Sequence, residues 1–194
     1  MLEKDERGEK VVRLADGTFI KLFRRRRRIT SDILRPYARR FVDNALALEK
    51  LGIPSPKIIA LYRIPEMSCD VVHYHPLPGM TLRAIIANEL ELQEARHLRL
   101  AFNIFVRRLH EKGIYFRSLH LGNVVLTPRL GMGLIDISDV RLHGKPLSRF
   151  WRARNLRRME DMADEREWVD RDIILNKSSI KEELRKRREM ENNQ

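Results

Sequence analysis

Around residues 76–79 the chain changes its hydrophobic period, and that change constrains the fold more than any other feature of the sequence. Residues 11–14 and 18–23 are β-rich runs joined through Ala15-Asp16-Gly17, and Asp-Gly between two such runs predicts a hairpin. Pro36 suits a first helical turn. Tyr37, Phe41, Ala45 and Leu48 then share one face of a helix that stops at Gly52, with Pro54 behind it. Residues 57–62 and 69–74 read as two more strands separated by a turn at Pro65. Past Pro76, Pro78 and Gly79 the spacing becomes helical: Leu98, Phe102, Phe105 and Leu109 mark a long helix ending at Gly113. Two short strand-like runs, 123–126 and 132–135, follow it, and Ser179-Ile180-Lys181-Glu182 has capping-box spacing for a final charged helix. The expected class is α+β, a small antiparallel sheet with one helix followed by a mostly helical half.

Composition narrows the partners. The 39 Lys and Arg outnumber the 27 Asp and Glu, a net charge of +12, yet a hydrophobic fraction of 43% leaves enough apolar residues for a core. The excess is concentrated: residues 21–40 carry nine basic residues against one acid, and residues 141–158 carry seven against none. Arg24 to Arg28 with Arg35, Arg39 and Arg40 form the first cluster, and the second contains Phe150 and Trp151. Either cluster suits an anionic partner: nucleic acid, through phosphates and aromatic stacking, or an anionic membrane surface. The bland alternative is a solvated face partly neutralised by the acidic stretch at 160–172. No apolar run reaches the roughly 20 residues of a transmembrane helix, and the acidic N-terminus lacks the apolar core of a secretory signal, so the expected location is cytoplasmic. Cys69 is the one cysteine, which forbids an internal disulfide or a multi-cysteine zinc site. His73 and His75 share a strand face, but without a third ligand nearby they read as polar connector residues.

Three positions carry candidate chemistry. Lys21, in Thr18-Phe19-Ile20-Lys21, shares a strand face with Phe19 and Phe23; its structural alternative is an edge-strand gatekeeper. Residues 113–123 read Gly-Ile-Tyr-Phe-Arg-Ser-Leu-His-Leu-Gly-Asn, and residues 133–139 read Gly-Leu-Ile-Asp-Ile-Ser-Asp. Taken singly, Asn123 is a turn residue and Asp136 a strand-end cap. Taken in order, these segments resemble the His-Gly-Asp-Leu-His-x-Gly-Asn catalytic loop and the Leu-Ile-Asp-Phe-Gly-Asp metal segment of bacterial sugar and small-molecule kinases. They resemble in particular the lipopolysaccharide core kinase family, which phosphorylates heptose or Kdo and has toluene-tolerance proteins among its relatives.

That resemblance, over residues 10–158, implies a reduced two-lobed protein-kinase-like fold: an N-lobe with its connector over 1–79, a truncated helical C-lobe over 80–176, and a charged helix or tail over 177–194. It implies ATP and Mg²⁺ as cofactors, Lys21 on the nucleotide phosphates, Asn123 and Asp136 as magnesium ligands with Asp139 as second choice, and Ser118 or His120 at the acceptor hydroxyl. The acceptor it implies is lipopolysaccharide core oligosaccharide or a lipid-linked sugar, met at the cytoplasmic face of the inner membrane. On that view the membrane reading of the basic clusters is preferred to nucleic acid. Four departures stand against activity. Ser118 occupies the place of the catalytic Asp, and a serine hydroxyl cannot take a proton near neutral pH. Phe19 replaces a small residue beside the adenine, Gly8 is the lone glycine ahead of the first strand, and of Phe41, Asp43 and Asn44, all near the place of the helix glutamate, only Asp43 could pair with Lys21. The rival function is a pseudokinase, a binding or regulatory module of the same pathway.

Overall fold

The structure, a computed structural model, describes residues 2–4, 10–24, 36–88, 90–129 and 131–176. In chain order the elements are β1 (Leu2–Lys4), β2 (Lys10–Arg13), β3 (Phe19–Arg24), α1 (Tyr37–Lys50), β4 (Lys57–Ile64), β5 (Cys69–His75), β6 (Met80–Thr81), α2 (Leu82–Ile86), α3 (Leu92–Glu111), β7 (Ile114–Phe116), β8 (Val124–Leu126), β9 (Met132–Leu134), β10 (Val140–Leu142), α4 (Arg149–Glu160) and α5 (Arg171–Leu175). The expected helix at Ser179 and most of the first arginine cluster lie outside the described residues. The chain divides into two compact units, residues 1–84 with 121–141, and residues 85–120 with 142–194.

The first unit holds an antiparallel sheet in the order β1-β2-β3-β5-β4, with α1 packed on it, and a second sheet in the order β6-β8-β9. The Asp-Gly turn joins β2 to β3 as its chemistry dictates. Gly17 takes φ +83°, and the Asp16 carboxylate accepts from the Thr18 backbone N–H at 2.9 Å and from its hydroxyl at 2.7 Å. The Thr18 hydroxyl bond is the main reason the Asp16 carboxyl lies below its usual pKa. Because its hydroxyl hydrogen is engaged in the bond to Asp16, Thr18 Oγ1 accepts from His73 Nε2 on β5 at 2.8 Å, so one hydroxyl ties the hairpin turn to a neighbouring strand. Three of the four residues expected on the buried face of α1 are there: Phe41, Ala45 and Leu48. Phe41 meets Phe23 and Tyr74 at ring-centroid distances of 6.0 and 5.3 Å. The fourth, Tyr37, is exposed in the first turn and carries the Arg40 guanidinium 5.0 Å over its ring.

The second unit is built on α3, where Phe102, Phe105 and Leu109 are buried as the spacing indicates, Leu98 is half-buried, and Val106 joins the buried face. Its polar interior is satisfied by long-range bonds. Asn103, fully buried, donates to the Trp168 carbonyl at 2.8 Å and accepts from Asp170 N at 2.7 Å. Arg107 and Arg152 donate to the carbonyls of Ile173 and Ile174, near the C-terminus of α5, where helical carbonyls lack partners of their own. Burial lowers the Arg152 pKa below its usual value. Asn155 of α4 donates to Phe116 O at 2.5 Å, and its Oδ1 accepts from Phe116 N at 3.3 Å and from His110 Nε2 at 3.0 Å.

Burial pushes the His110 pKa from 6.5 down to about 4. Between those two values the unfolded chain takes up a proton at this histidine that the folded chain refuses, so ΔG of unfolding falls as pH falls through that window. The full loss is about 3 kcal/mol. His110→Gln keeps an N–H for Asn155 and removes the titration. Urea melts at neutral pH and near pH 4 are expected to show a smaller acid loss of stability in the variant than in wild type.

Candidate active site

In the first unit the site begins with β3, which lies between β2 and β5, with Lys21 opposite Val11 on one side and Val72 on the other. An interior strand needs no gatekeeper, so the edge-strand alternative for Lys21 does not apply. Lys21 is 6% exposed, and its ammonium stands 5.3 Å from the Phe23 ring centroid and 5.8 Å from that of Phe41. A lysine buried against two aromatic rings requires a charge partner, because desolvating an ammonium costs several kcal/mol. Asp136 supplies it: Lys21 Nζ lies 2.7 Å from Asp136 Oδ1, across 115 residues of sequence.

Asp136 is positioned by the β8–β9 hairpin. The register pairs Val124 with Leu134 and Leu126 with Met132, and one step further Ile135 N donates to Asn123 O at 3.0 Å. Asn123 and Asp136 therefore leave the hairpin at the same end. The hairpin is moored in turn to the loop behind α1, where Leu134 N donates to Pro54 O at 2.9 Å. Residue 133 must be glycine for this approach, since a Cβ there would fall 2.5 Å from Pro54 O. The strand expected over 132–135 ends at Leu134, because Asp136 takes the left-handed conformation (φ 52°, ψ 47°) and opens a short 3₁₀ turn over Ile137–Asp139.

A non-glycine residue in that conformation costs on the order of 1 kcal/mol and persists only where its surroundings hold it. Two elements do so. Lys21 holds the Asp136 carboxylate from β3, and Asn44 of α1 donates its Nδ2 to Ile137 O at 2.7 Å and to Val140 O at 3.1 Å. The helix thus fixes the 137–140 segment through a carboxamide. Nearby Asp43 accepts from Arg39 Nε at 3.1 Å. Sequence reasoning gave Asn44 no role. Its signal was a polar residue set beside Phe41, Ala45 and Leu48 on an otherwise apolar stripe, where a buried amide must find partners.

Of the five candidate residues, Lys21 and Asp136 are in direct contact, and Asn123 joins them through the hairpin, its own residue buried to 7% exposure. Ser118 and His120 belong to the second unit. They are half-buried on either side of Leu119, which is fully buried and whose N–H turns back to Phe116 O at 3.1 Å. Among the described residues no group of three or more His, Cys, Asp and Glu converges as a metal cage. One carboxylate with one carboxamide does fit Mg²⁺, which keeps several waters and is commonly held by one or two carboxylates together with substrate phosphates.

No protein-family model matches the chain, and no curated protein matches it. Among solved structures it is similar to the bifunctional kinase-methyltransferase WbdD, with a TM-score of 0.51 at 15% identity over 73% of this chain and 34% of that one. A crystal structure of monomeric WbdD gives a TM-score of 0.53 at 14% identity over 78% of this chain and 38% of that one. The fold is kinase-like. The chain spans well under half the length of the structures it matches, and at such identity the kinase-like likeness speaks for architecture alone. That architecture is mixed, small antiparallel sheets with helices, and no helix among the described residues is long and apolar enough to cross a membrane.

Proposed function

We propose that this protein is a kinase-like phosphotransferase of lipopolysaccharide core biosynthesis, with a reduced two-lobed kinase fold, transferring a phosphoryl group from ATP to a core sugar hydroxyl at the cytoplasmic membrane face. The observation that carries the reading is the 2.7 Å contact between Lys21 and Asp136, a strand lysine and the aspartate that opens the second motif. In this reading Lys21 grips the nucleotide phosphates and Asn123 and Asp136 hold Mg²⁺, with Asp139 in reserve. The ion supplies charge neutralisation at the transferring group. The acceptor oxygen forms the new bond to phosphorus as the bond to the ADP oxygen breaks, and the hydroxyl proton must leave. Ser118 can orient that hydroxyl but cannot take its proton near neutral pH, whereas a neutral His120 imidazole has a ring nitrogen that can accept it.

Ser118 at the catalytic position also favours a second reading, a pseudokinase that binds nucleotide without turnover. Thermal denaturation with and without Mg·ATP tests both. At about 100 times its Kd a ligand stabilises the native state by about 2.7 kcal/mol, a rise in Tm of roughly 5–10 °C for a chain of this length. Wild type is expected to show that rise and Asp136→Ala to lose it. No shift at millimolar Mg·ATP would remove both nucleotide readings. A shift without phosphate transfer to purified core oligosaccharide would select the pseudokinase.

A further inference from the structure

The second basic cluster is a shaped surface on α4. Its buried face is Asn155, Leu156 and Met159. On the opposite side, Phe150, Arg154 and Arg157 stand at the i, i+4, i+7 spacing of one helical stripe, all exposed, with exposed Arg149 and Arg158 on its flanks. Phe150 is 64% exposed, and Leu142, ahead of the helix, is 43% exposed. No acid occurs from 141 to 158. Phe150 meets Trp151 along one edge only and leaves most of its apolar surface in water among arginines, an unfavourable exposure, so the patch suits a partner that is anionic outside and apolar within.

We propose that α4 docks the protein on an anionic lipid bilayer, with Phe150 entering the acyl boundary and Arg149, Arg154, Arg157 and Arg158 meeting phosphate headgroups. The aromatic geometry favours lipid over single-stranded RNA. Bases stack on open ring faces, but the Trp151 ring is enclosed by Tyr115, His143 and Phe150 at 5.3, 5.2 and 5.7 Å, with the Arg154 guanidinium 5.5 Å above it. That cluster braces the helix start instead of offering a stacking platform. What projects from the helix is one hydrocarbon ring, Phe150, in a cationic field, so that an apolar anchor and basic side chains would act together at an anionic bilayer. The docking stands whether or not the chain turns over ATP.

Sedimentation of the full chain with vesicles tests it. Vesicles of equal parts phosphatidylglycerol and phosphatidylcholine are expected to pellet the protein, and phosphatidylcholine alone is not. Arg154→Gln with Arg157→Gln is expected to weaken partitioning about 30-fold, roughly 5-fold per arginine, and the effect fades at high salt. Phe150→Ser is expected to weaken it about 10-fold through a loss that salt does not screen. Circular dichroism should report both variants folded, since the altered side chains are exposed. Equal pelleting with neutral vesicles, or wild-type partitioning by both variants, would overturn the proposal. So would retention of polyuridine at physiological salt without vesicle binding, which would assign the surface to RNA.

Discussion

Asn155→Ala is expected to remove most of the stability of the second unit. The substitution deletes the acceptor of His110 Nε2 and of Phe116 N and the donor to Phe116 O, and all three groups lie in the interior. Each buried polar group left without its partner costs about 1–3 kcal/mol, so three would cost about 3–9 kcal/mol, and a total near the lower end, about 3–5 kcal/mol, is already a large part of what a domain of this size has. Denaturant unfolding followed by Trp fluorescence measures it. The variant Asn155→Ala with His110→Leu should recover part of the loss, because one of the three stranded groups is then gone; a coupling of about 1 kcal/mol or more is expected. A loss below about 1 kcal/mol for Asn155→Ala would mean that water replaces the amide, and the network would then not be the brace described here.

Lys21 and Asp136 are expected to respond unequally to mutation, although they form one ion pair. Asp136→Ala removes the carboxylate at 2.7 Å from a buried ammonium and places an alanine in the left-handed conformation. The ion-pair part, discounted because Asp136 is half-exposed, and the backbone part together amount to about 2–4 kcal/mol. Asp136→Gly should lose about 1 kcal/mol less, since glycine adopts that conformation freely. Lys21→Met instead removes the buried charge and sets a thioether near Phe23 and Phe41, a favourable contact. Its stability is expected within about 1 kcal/mol of wild type, or above it, since no buried charge is left unpaired: the Asp136 side chain, 47% exposed, is solvated by water. Under the proposed function the same Lys21→Met protein loses phosphoryl transfer by about two to three orders of magnitude, the usual effect of deleting one electrostatic group in a site. A stable, inactive Lys21→Met beside a destabilised Asp136→Ala would separate the lysine's role in function from any role in folding.

The local signals read correctly in the sequence were those with a local cause. The Asp-Gly turn, the α1 stripe and the α3 stripe all depend on residues within one or two turns of each other, and all formed. Short or unpatterned elements gave no such signal: β1, β6 and β7 are two or three residues long, too short to display a period. The helix α4 was read as a basic stretch because five arginines masked the buried face of Asn155, Leu156 and Met159. Tyr37 was placed on the buried face by period alone, which cannot tell that the first turn of a helix remains in solvent.

By itself the sequence determined the order of strand and helix as far as the β8–β9 hairpin, and the uneven charge, since these follow from periodicity, turn chemistry and composition over short distances, whereas Lys21, Ser118, His120, Asn123 and Asp136 stand out only through their resemblance to kinase motifs. Tertiary structure alone decided that β3 is an interior strand, that Lys21 and Asp136 meet, that Asn44 holds the 137–140 segment, and that Phe150 projects while Trp151 is enclosed. Those outcomes depend on strand order and on which buried polar group reaches which partner, and both are set by the packing of segments distant along the chain.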